Sequence, residues 1–280
     1  MKRLEMLHIM PGDYCNLSCS HCGTLSGPKG TMKLGPQELI EIDRAIREYL
    51  PEKLLFTGGE PTFYIELINQ IIDFYPKDVE FGVQFTTNGH YAKSEEEIEK
   101  YLGAVKKLDE VQISYDKFHG SRLNLEDLKR IKDWCSKKGI KVNISMCISS
   151  PLELIEAKKT ASESGIKLSY QPVEGSGRAK EMKREYKYYH FEEEVKEKSC
   201  PNAGSISYIC GKGFSICCSS LMFNMDNKDF YKNDMSSYLS SDFHKKMTTQ
   251  TFKEMMNSEL PEEMDPRLSS PCNFCEYIHS

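Results

Sequence analysis

The chain has 280 residues, 39% of them hydrophobic and 28% charged, with a formal charge of −5 and eleven cysteines. That balance suits one large α/β domain, or a barrel with a small extra module, and argues against nucleic acid as a main partner, because phosphate binding needs a basic surface. No run nears the ~18 apolar residues of a membrane span, and "LEMLHIMPGDYC" is too short and interrupted for a signal peptide. The expectation is a cytoplasmic protein whose cysteines bind metal or do chemistry rather than pair.

From residue 5 to about 172, short apolar runs alternate with amphipathic stretches, the pattern of βα units around a parallel sheet. Strands are predicted at 5–10, 53–57, 80–87, 109–115, 140–148 and 166–172. Leu39, Ile42, Ile46 and Tyr49 recur at helical spacing after Pro36, a residue suited to a first helical position. Ser94 with Glu97 forms a capping signature ahead of Ile98, Leu102 and Val105. Leu125, Leu128, Ile131 and Cys135 make a further apolar stripe, with Cys135 expected in the core. These units fall short of the eight of a closed barrel, so the predicted fold is α/β: a partial (β/α)6 TIM-like barrel with its chemistry at the C-terminal strand ends. The basic "KEMKREYK" and the acidic "FEEEVKEK" read as a solvated linker helix over 179–199. Residues 200–280 show little repeating pattern and six cysteines, which predicts a small module held by metal more than by a core. The predicted division is 1–178, 179–199 and 200–280.

Directly after the first strand, "CNLSCSHC" spaces Cys15, Cys19 and Cys22 as C-x3-C-x2-C. Three thiolates on a short loop suit an iron–sulfur cube whose remaining iron is open to a small molecule. A zinc site with His21 or a remote fourth ligand is the alternative. "FTGGEP" then puts Gly58, Gly59, Glu60 and Pro61 at the end of the second strand, beside that loop in any parallel barrel. Two glycines let a ligand approach the backbone, and Glu60 offers an anion to an ammonium group.

Together the two motifs resemble the radical S-adenosylmethionine enzymes, and the resemblance covers the whole chain. It implies that Cys15, Cys19 and Cys22 hold a [4Fe-4S] cluster whose open iron binds the amino and carboxylate groups of S-adenosylmethionine. Gly58, Gly59 and Glu60 then hold the amino group, and a reduced cluster releases a 5′-deoxyadenosyl radical. "TTNG" and "SYD" match by the same resemblance, giving Asn88 and Ser114 as S-adenosylmethionine contacts, although both types also suit ordinary turns and strands. His21 stands where the family usually has an aromatic residue.

The C-terminal part carries Cys200, Cys210, the adjacent pair Cys217 and Cys218, and the knuckle Cys272-x2-Cys275. Four thiolates close a cube, and the set Cys200, one of the adjacent pair, Cys272 and Cys275 resembles a twitch or SPASM-like domain holding one auxiliary [4Fe-4S] cluster. Structural zinc in the same four positions is the alternative. The family's C…G-x4-C spacing counted from Gly213 selects Cys218 as ligand, whereas aligning the pair with radical peptide epimerases selects Cys217. A vicinal disulfide is strained and disfavoured in a reducing compartment. One ligand beside one free thiol is the expectation, with Cys217 as ligand and Cys218 as donor.

With so little chain before Cys15, a peptide-recognition domain there is not expected, and a short peptide or small molecule should bind directly in the barrel. "ISYDKFH", the "CC" pair and "SSPCNFC" resemble the peptide epimerases that act on ribosomally made peptides. The resemblance implies removal of a Cα hydrogen from one face and return of hydrogen by Cys218 from the other, with flavodoxin or ferredoxin as electron donor. The alternative is a dehydrogenase or cross-linking enzyme in which the auxiliary cluster accepts electrons; a non-catalytic iron–sulfur or zinc protein is the remaining reading. Cys147 is a reserve reactive thiol facing the barrel, Cys210 a buried one, His119 a structural or substrate-facing histidine, and Arg178 a surface group or a partner for a carboxylate.

Overall fold

The computed structural model describes residues 4–120, 122–182, 190–225, 227–256 and 260–280. Eight strands among them form one sheet: β1 (Met6–Met10), β2 (Lys53–Phe56), β3 (Gly82–Thr87), β4 (Glu110–Ser114), β5 (Lys141–Ile148), β6 (Lys167–Pro172), β7 (Ser205–Ile209) and β8 (Gly213–Ser215). Their order is β6-β5-β4-β3-β2-β1-β7-β8, and every pair is parallel except β7 with β8. All six predicted strands are present, with ends shifted by no more than two residues.

Helices α1 (Pro36–Tyr49), α2 (Ile65–Ile72), α3 (Glu95–Tyr101), α4 (Leu125–Lys137) and α5 (Pro151–Ser164) follow the first five strands in turn. Local chemistry sets their ends. The Glu38 carboxylate accepts from Gly35 N at 2.8 Å at the start of α1, and Ser94 accepts from Glu97 N at 3.2 Å at the start of α3. Asn124 and Asp127 form a reciprocal capping box on α4. Along the strands the period of two divides the side chains. Leu7, Ile9, Leu54, Phe56, Val83, Phe85, Val111, Ile113 and Ile144 are fully buried, whereas Gln112, Ser114, Ser145 and Cys147 line the barrel's cavity. The result is a partial TIM-like α/β barrel with a polar interior and a small cysteine-rich C-terminal part.

That C-terminal part is tied to the barrel more closely than its composition suggests. β7 pairs in parallel with β1, so 200 does not coincide with an edge of the sheet. It adds α6 (Ser220–Asn224), α7 (Met235–Ser240), α8 (Asp242–Thr249), α9 (Phe252–Met255) and α10 (Pro271–His279). Phe214, Tyr238, Phe252 and Phe274 are fully buried and continuous with the apolar core of the barrel. The expectation of a module held by metal more than by a core is therefore corrected: these aromatics bury enough surface to give it one. Residues 183–189 of the expected linker helix lie outside the described residues, and their flanks form 3-10 turns at Gly177–Glu181 and Glu193–Glu197. No helix of the described residues is long and apolar enough to cross a membrane.

Candidate active site

At the C-terminal mouth of the strands lies a cavity of about 570 Å³. Cys15, Cys19, Cys22, Gly58, Gly59, Glu60, Asn88, Ser114, Cys218 and Cys272 all line it, while Cys200, Cys217 and Cys275 sit behind its wall. Ten of the thirteen residues singled out from sequence thus share one surface.

The loop after β1 carries the first three thiols. Its backbone continues the pairing of β1 with β2: Gly59 N donates to Gly12 O at 3.1 Å and Glu60 N to Tyr14 O at 2.9 Å. This contact explains the two glycines better than ligand approach does. A Cβ on Gly59 would stand 2.1 Å from Tyr14 O, and one on Gly58, whose φ is +110°, 2.2 Å from Met10 Cγ. The thiols are close enough to influence one another. Burial and the neighbouring Cys22 and Cys15 push the Cys19 thiol up to about 12, and burial with Glu60 and Cys22 raises that of Cys15. Three thiols on one loop are the donor type an iron–sulfur cluster takes, and binding as thiolates releases their protons to solvent.

Glu60 departs from expectation in its contacts. Its carboxylate is buried and already accepts hydrogen bonds from Thr62 Oγ1 and Thr87 Oγ1, both at 2.7 Å, and from Asn88 N at 2.8 Å. It therefore binds the β2 end to the β3 end and fixes Asn88. The Asn88 amide in turn donates to Asn16 Oδ1 at 2.8 Å and faces Cys15 Sγ at 3.7 Å.

Sequence reasoning missed the brace on the other side of the loop. Arg178 Nε donates to Cys19 O at 2.8 Å, Arg178 Nη2 to Ser26 O at 2.6 Å, and Ser176 Oγ to Gly23 O at 3.0 Å. Gly177, at φ +57°, lies so close that a Cβ would stand 2.5 Å from Cys22 O. The same loop reaches the C-terminal helices: Asn224 Nδ2 donates to Gly175 O and Asn224 Oδ1 accepts from Gly177 N, both at 2.8 Å. The glycines of "GSGR" were the signal available in the sequence.

The second thiol set converges from three elements. Burial raises the Cys275 thiol, and Cys217, Cys200 and Cys272 raise it further. Burial, followed by Cys218 and Cys200 among its neighbours, pushes Cys217 up to about 12. The adjacent thiols face differently: Cys217 is 9% exposed, whereas Cys218 opens into the cavity and accepts a hydrogen bond from Asn202 Nδ2 at 2.8 Å. Cys135 is core on α4, and Cys210 is buried after β7 beside Glu38 and Asp13.

A sequence profile for the Radical SAM superfamily matches residues 9–167. The S-adenosylmethionine-dependent nucleotide dehydratase of Thermoplasmatales archaeon (strain ISO4-H5) is 26% identical over 143 residues, covering 48% of this chain and 49% of the relative. The chain thus spans about half the length of that curated relative. Among solved structures, Streptococcus suis SuiB bound to S-adenosylmethionine is similar at TM-score 0.56 and 18% identity, over 94% of this chain and 76% of that one. Native anSMEcpe with bound AdoMet and the Cp18Cys peptide is similar at TM-score 0.59 and 15% identity, over 98% and 97%. At such identities the two structures share its fold. With a profile match over more than half its length, the chain belongs to the Radical SAM superfamily, whose chemistry rests on S-adenosylmethionine and a [4Fe-4S] cluster.

Proposed function

We propose that this radical SAM enzyme inverts an amino-acid centre in a short peptide, with Cys218 returning the hydrogen atom. The observation that carries the reading is the division within the adjacent pair: Cys217 is buried among Cys200, Cys272 and Cys275, while Cys218 opens into the cavity shared with Cys15, Cys19 and Cys22. In this reading Cys15, Cys19 and Cys22 hold the cluster that binds S-adenosylmethionine, with Gly58, Gly59, Glu60, Asn88 and Ser114 shaping its site. Cys200, Cys217, Cys272 and Cys275 hold one auxiliary [4Fe-4S] cluster in a twitch-like region, 200–280, served by the 1–178 barrel and the 179–199 connection.

When bound, S-adenosylmethionine and its reduced cluster supply a carbon radical able to remove a hydrogen atom from an unactivated C–H bond. The chain's own part is to aim the substrate and to return a hydrogen atom. A carbon radical at Cα is planar, so hydrogen delivered from the opposite side inverts it. Asn202 orients the Cys218 sulfur in the cavity, donating to it at 2.8 Å. The thiyl formed when Cys218 gives up its hydrogen atom regains one electron and one proton, the electron from a flavodoxin- or ferredoxin-type donor.

Charge favours a peptide over a nucleotide. Arg178 is the one Arg or Lys among the described lining residues, and its guanidinium donates to Cys19 O and Ser26 O. Asp116 and Glu174 add negative charge to the wall, which repels a polyphosphate. Gln112, Ser114, Ser145 and Gln171 offer amides and hydroxyls suited to a peptide backbone.

The test is turnover of short peptides encoded beside the gene, by reconstituted enzyme in deuterated water. One solvent deuterium at an inverted Cα, with no other change in mass, is expected. Cys218→Ala should still cleave S-adenosylmethionine but lose inversion and deuterium uptake. A product lighter by two hydrogens would instead assign oxidation or cross-linking.

A further inference from the structure

Behind the cavity wall, three side chains form a line that ends on Glu60. The Thr62 hydroxyl donates to Glu60 Oε1 at 2.7 Å, and His90 Nε2 lies 3.0 Å from the same Thr62 oxygen. Thr62 comes from the 3-10 turn Pro61–Phe63 after β2, and His90 from the turn after β3. Neither of them lines the cavity, whereas Glu60 does. Glu60 is 1% exposed, and what offsets its burial is hydrogen bonding from Asn88, Thr62 and Thr87, with no Lys or Arg among these partners.

The order of donors along the line follows from counting hydrogens. Four hydrogen bonds converge on the carboxylate: from Thr62 N at 3.3 Å, from Asn88 N at 2.8 Å, and from the Thr62 and Thr87 hydroxyls at 2.7 Å each. Such an array favours the ionised form. An ionised carboxylate only accepts, so the single hydrogen of Thr62 Oγ1 points at it. The other contact of that oxygen must then be filled by a donor, which places a hydrogen on His90 Nε2. Burial holds His90 down to about 4, so near neutral pH the ring is uncharged and carries that one hydrogen. Both dipoles of the line are aimed at the carboxylate, and each strengthens the other. Aromatic packing fixes the ring, which stacks on Phe63 with centroids 5.0 Å apart and meets Tyr101 edge-on at 4.8 Å. A phenylalanine would fill that space equally well; only the imidazole brings an N–H to Thr62.

We propose that His90 is a positioning residue for S-adenosylmethionine binding, holding the Glu60 carboxylate charged and in place through the Thr62 hydroxyl. The inference rests on the reading that Glu60 shapes the S-adenosylmethionine site, and it adds two residues that stand outside the cavity. A carboxylate already fixed before the ligand arrives has less freedom to lose on binding. Without the imidazole N–H, the Thr62 hydroxyl loses its donor and Glu60 loses the outer half of the line.

Enzyme with its clusters reconstituted is titrated with S-adenosylmethionine by calorimetry without reductant, so that binding is read apart from cleavage; 5′-deoxyadenosine release is measured afterwards, with reductant. His90→Phe keeps the ring packing and removes the N–H. It should raise Kd at least fivefold, with iron content unchanged and the release rate at saturation within about twofold of wild type. His90→Gln, whose side-chain amide offers an N–H in place of the imidazole's, should bring Kd back to within about twofold of wild type. Thr62→Val, which conserves shape, should weaken binding at least as much as His90→Phe. The double variant should be no weaker than Thr62→Val alone, because both changes act through one hydroxyl. Wild-type Kd in His90→Phe or Thr62→Val, no recovery in His90→Gln, or additive losses in the double variant overturns the proposal. Glu60→Gln separates it from the reading beneath it. Unchanged affinity in that variant removes the role of Glu60, whereas affinity lost there and kept in His90→Phe overturns the role of His90 alone.

Discussion

Arg178 shows how one side chain can serve a centre it does not ligate. Its guanidinium spans two carbonyls of the cysteine loop, Cys19 O and Ser26 O, a geometry that the planar fork suits and an ammonium does not. Arg178→Met should therefore speed cluster loss to a chelator severalfold and lower the iron content, with the far-ultraviolet circular dichroism of the barrel unchanged. Arg178→Lys should recover only part of that loss. Equal chelation rates in all three proteins would show that the loop holds itself. From sequence this residue read as a surface group or a partner for a carboxylate, because its actual partners are backbone carbonyls more than 150 positions away. Cys147, by contrast, was placed on the barrel side correctly, since a strand's alternation needs no distant information.

The ends of β1 and β2 and the loop between β6 and the C-terminal region hold the candidate site as a unit. Gly59→Ala would drive a Cβ to 2.1 Å from Tyr14 O, a backbone atom that cannot step aside. We expect the variant to lose several kcal/mol of stability, or to fail to fold, because the strained contact breaks the Glu60 N to Tyr14 O bond. Chemical denaturation reads this directly, and a midpoint equal to wild type would refute it. Strands β1 to β6 were legible because β-branched and aromatic residues alternate with polar ones between turn signals. Helix α5 went unread for an equally local reason: Leu152 and Ile155 are 74% and 66% exposed, so its apolar residues do not form one buried stripe. β7 alternates well enough, but its pairing with β1 joins residues about two hundred positions apart, which no window along the chain contains.

Across the molecule, burial of histidines sets a pH response. Desolvation holds His8 and His90 near 4, below the ordinary 6.5. Above 6.5 both are neutral whether folded or unfolded, and their contribution to stability is complete. As pH falls from 6.5 towards 4 the unfolded chain takes up protons that the folded one refuses, so stability declines. Thermal midpoints should drop between about pH 7 and pH 5, and His8→Gln should make that decline shallower. A midpoint independent of pH across this window would count against burial as the cause.

The spacing of Cys15, Cys19 and Cys22 and the GGEP turn pointed to the chemistry class through their resemblance to a known family, and both motifs are short enough to be read along the chain. The six barrel strands followed from residue alternation for the same reason. Which thiol of the adjacent pair faces the cavity, why Gly58 and Gly59 are glycines, and what Glu60 and Arg178 hold depended on contacts between distant parts of the chain. Those contacts form only when the barrel brings the strand ends together. Close packing, rather than local preference, fixes where each of these side chains points.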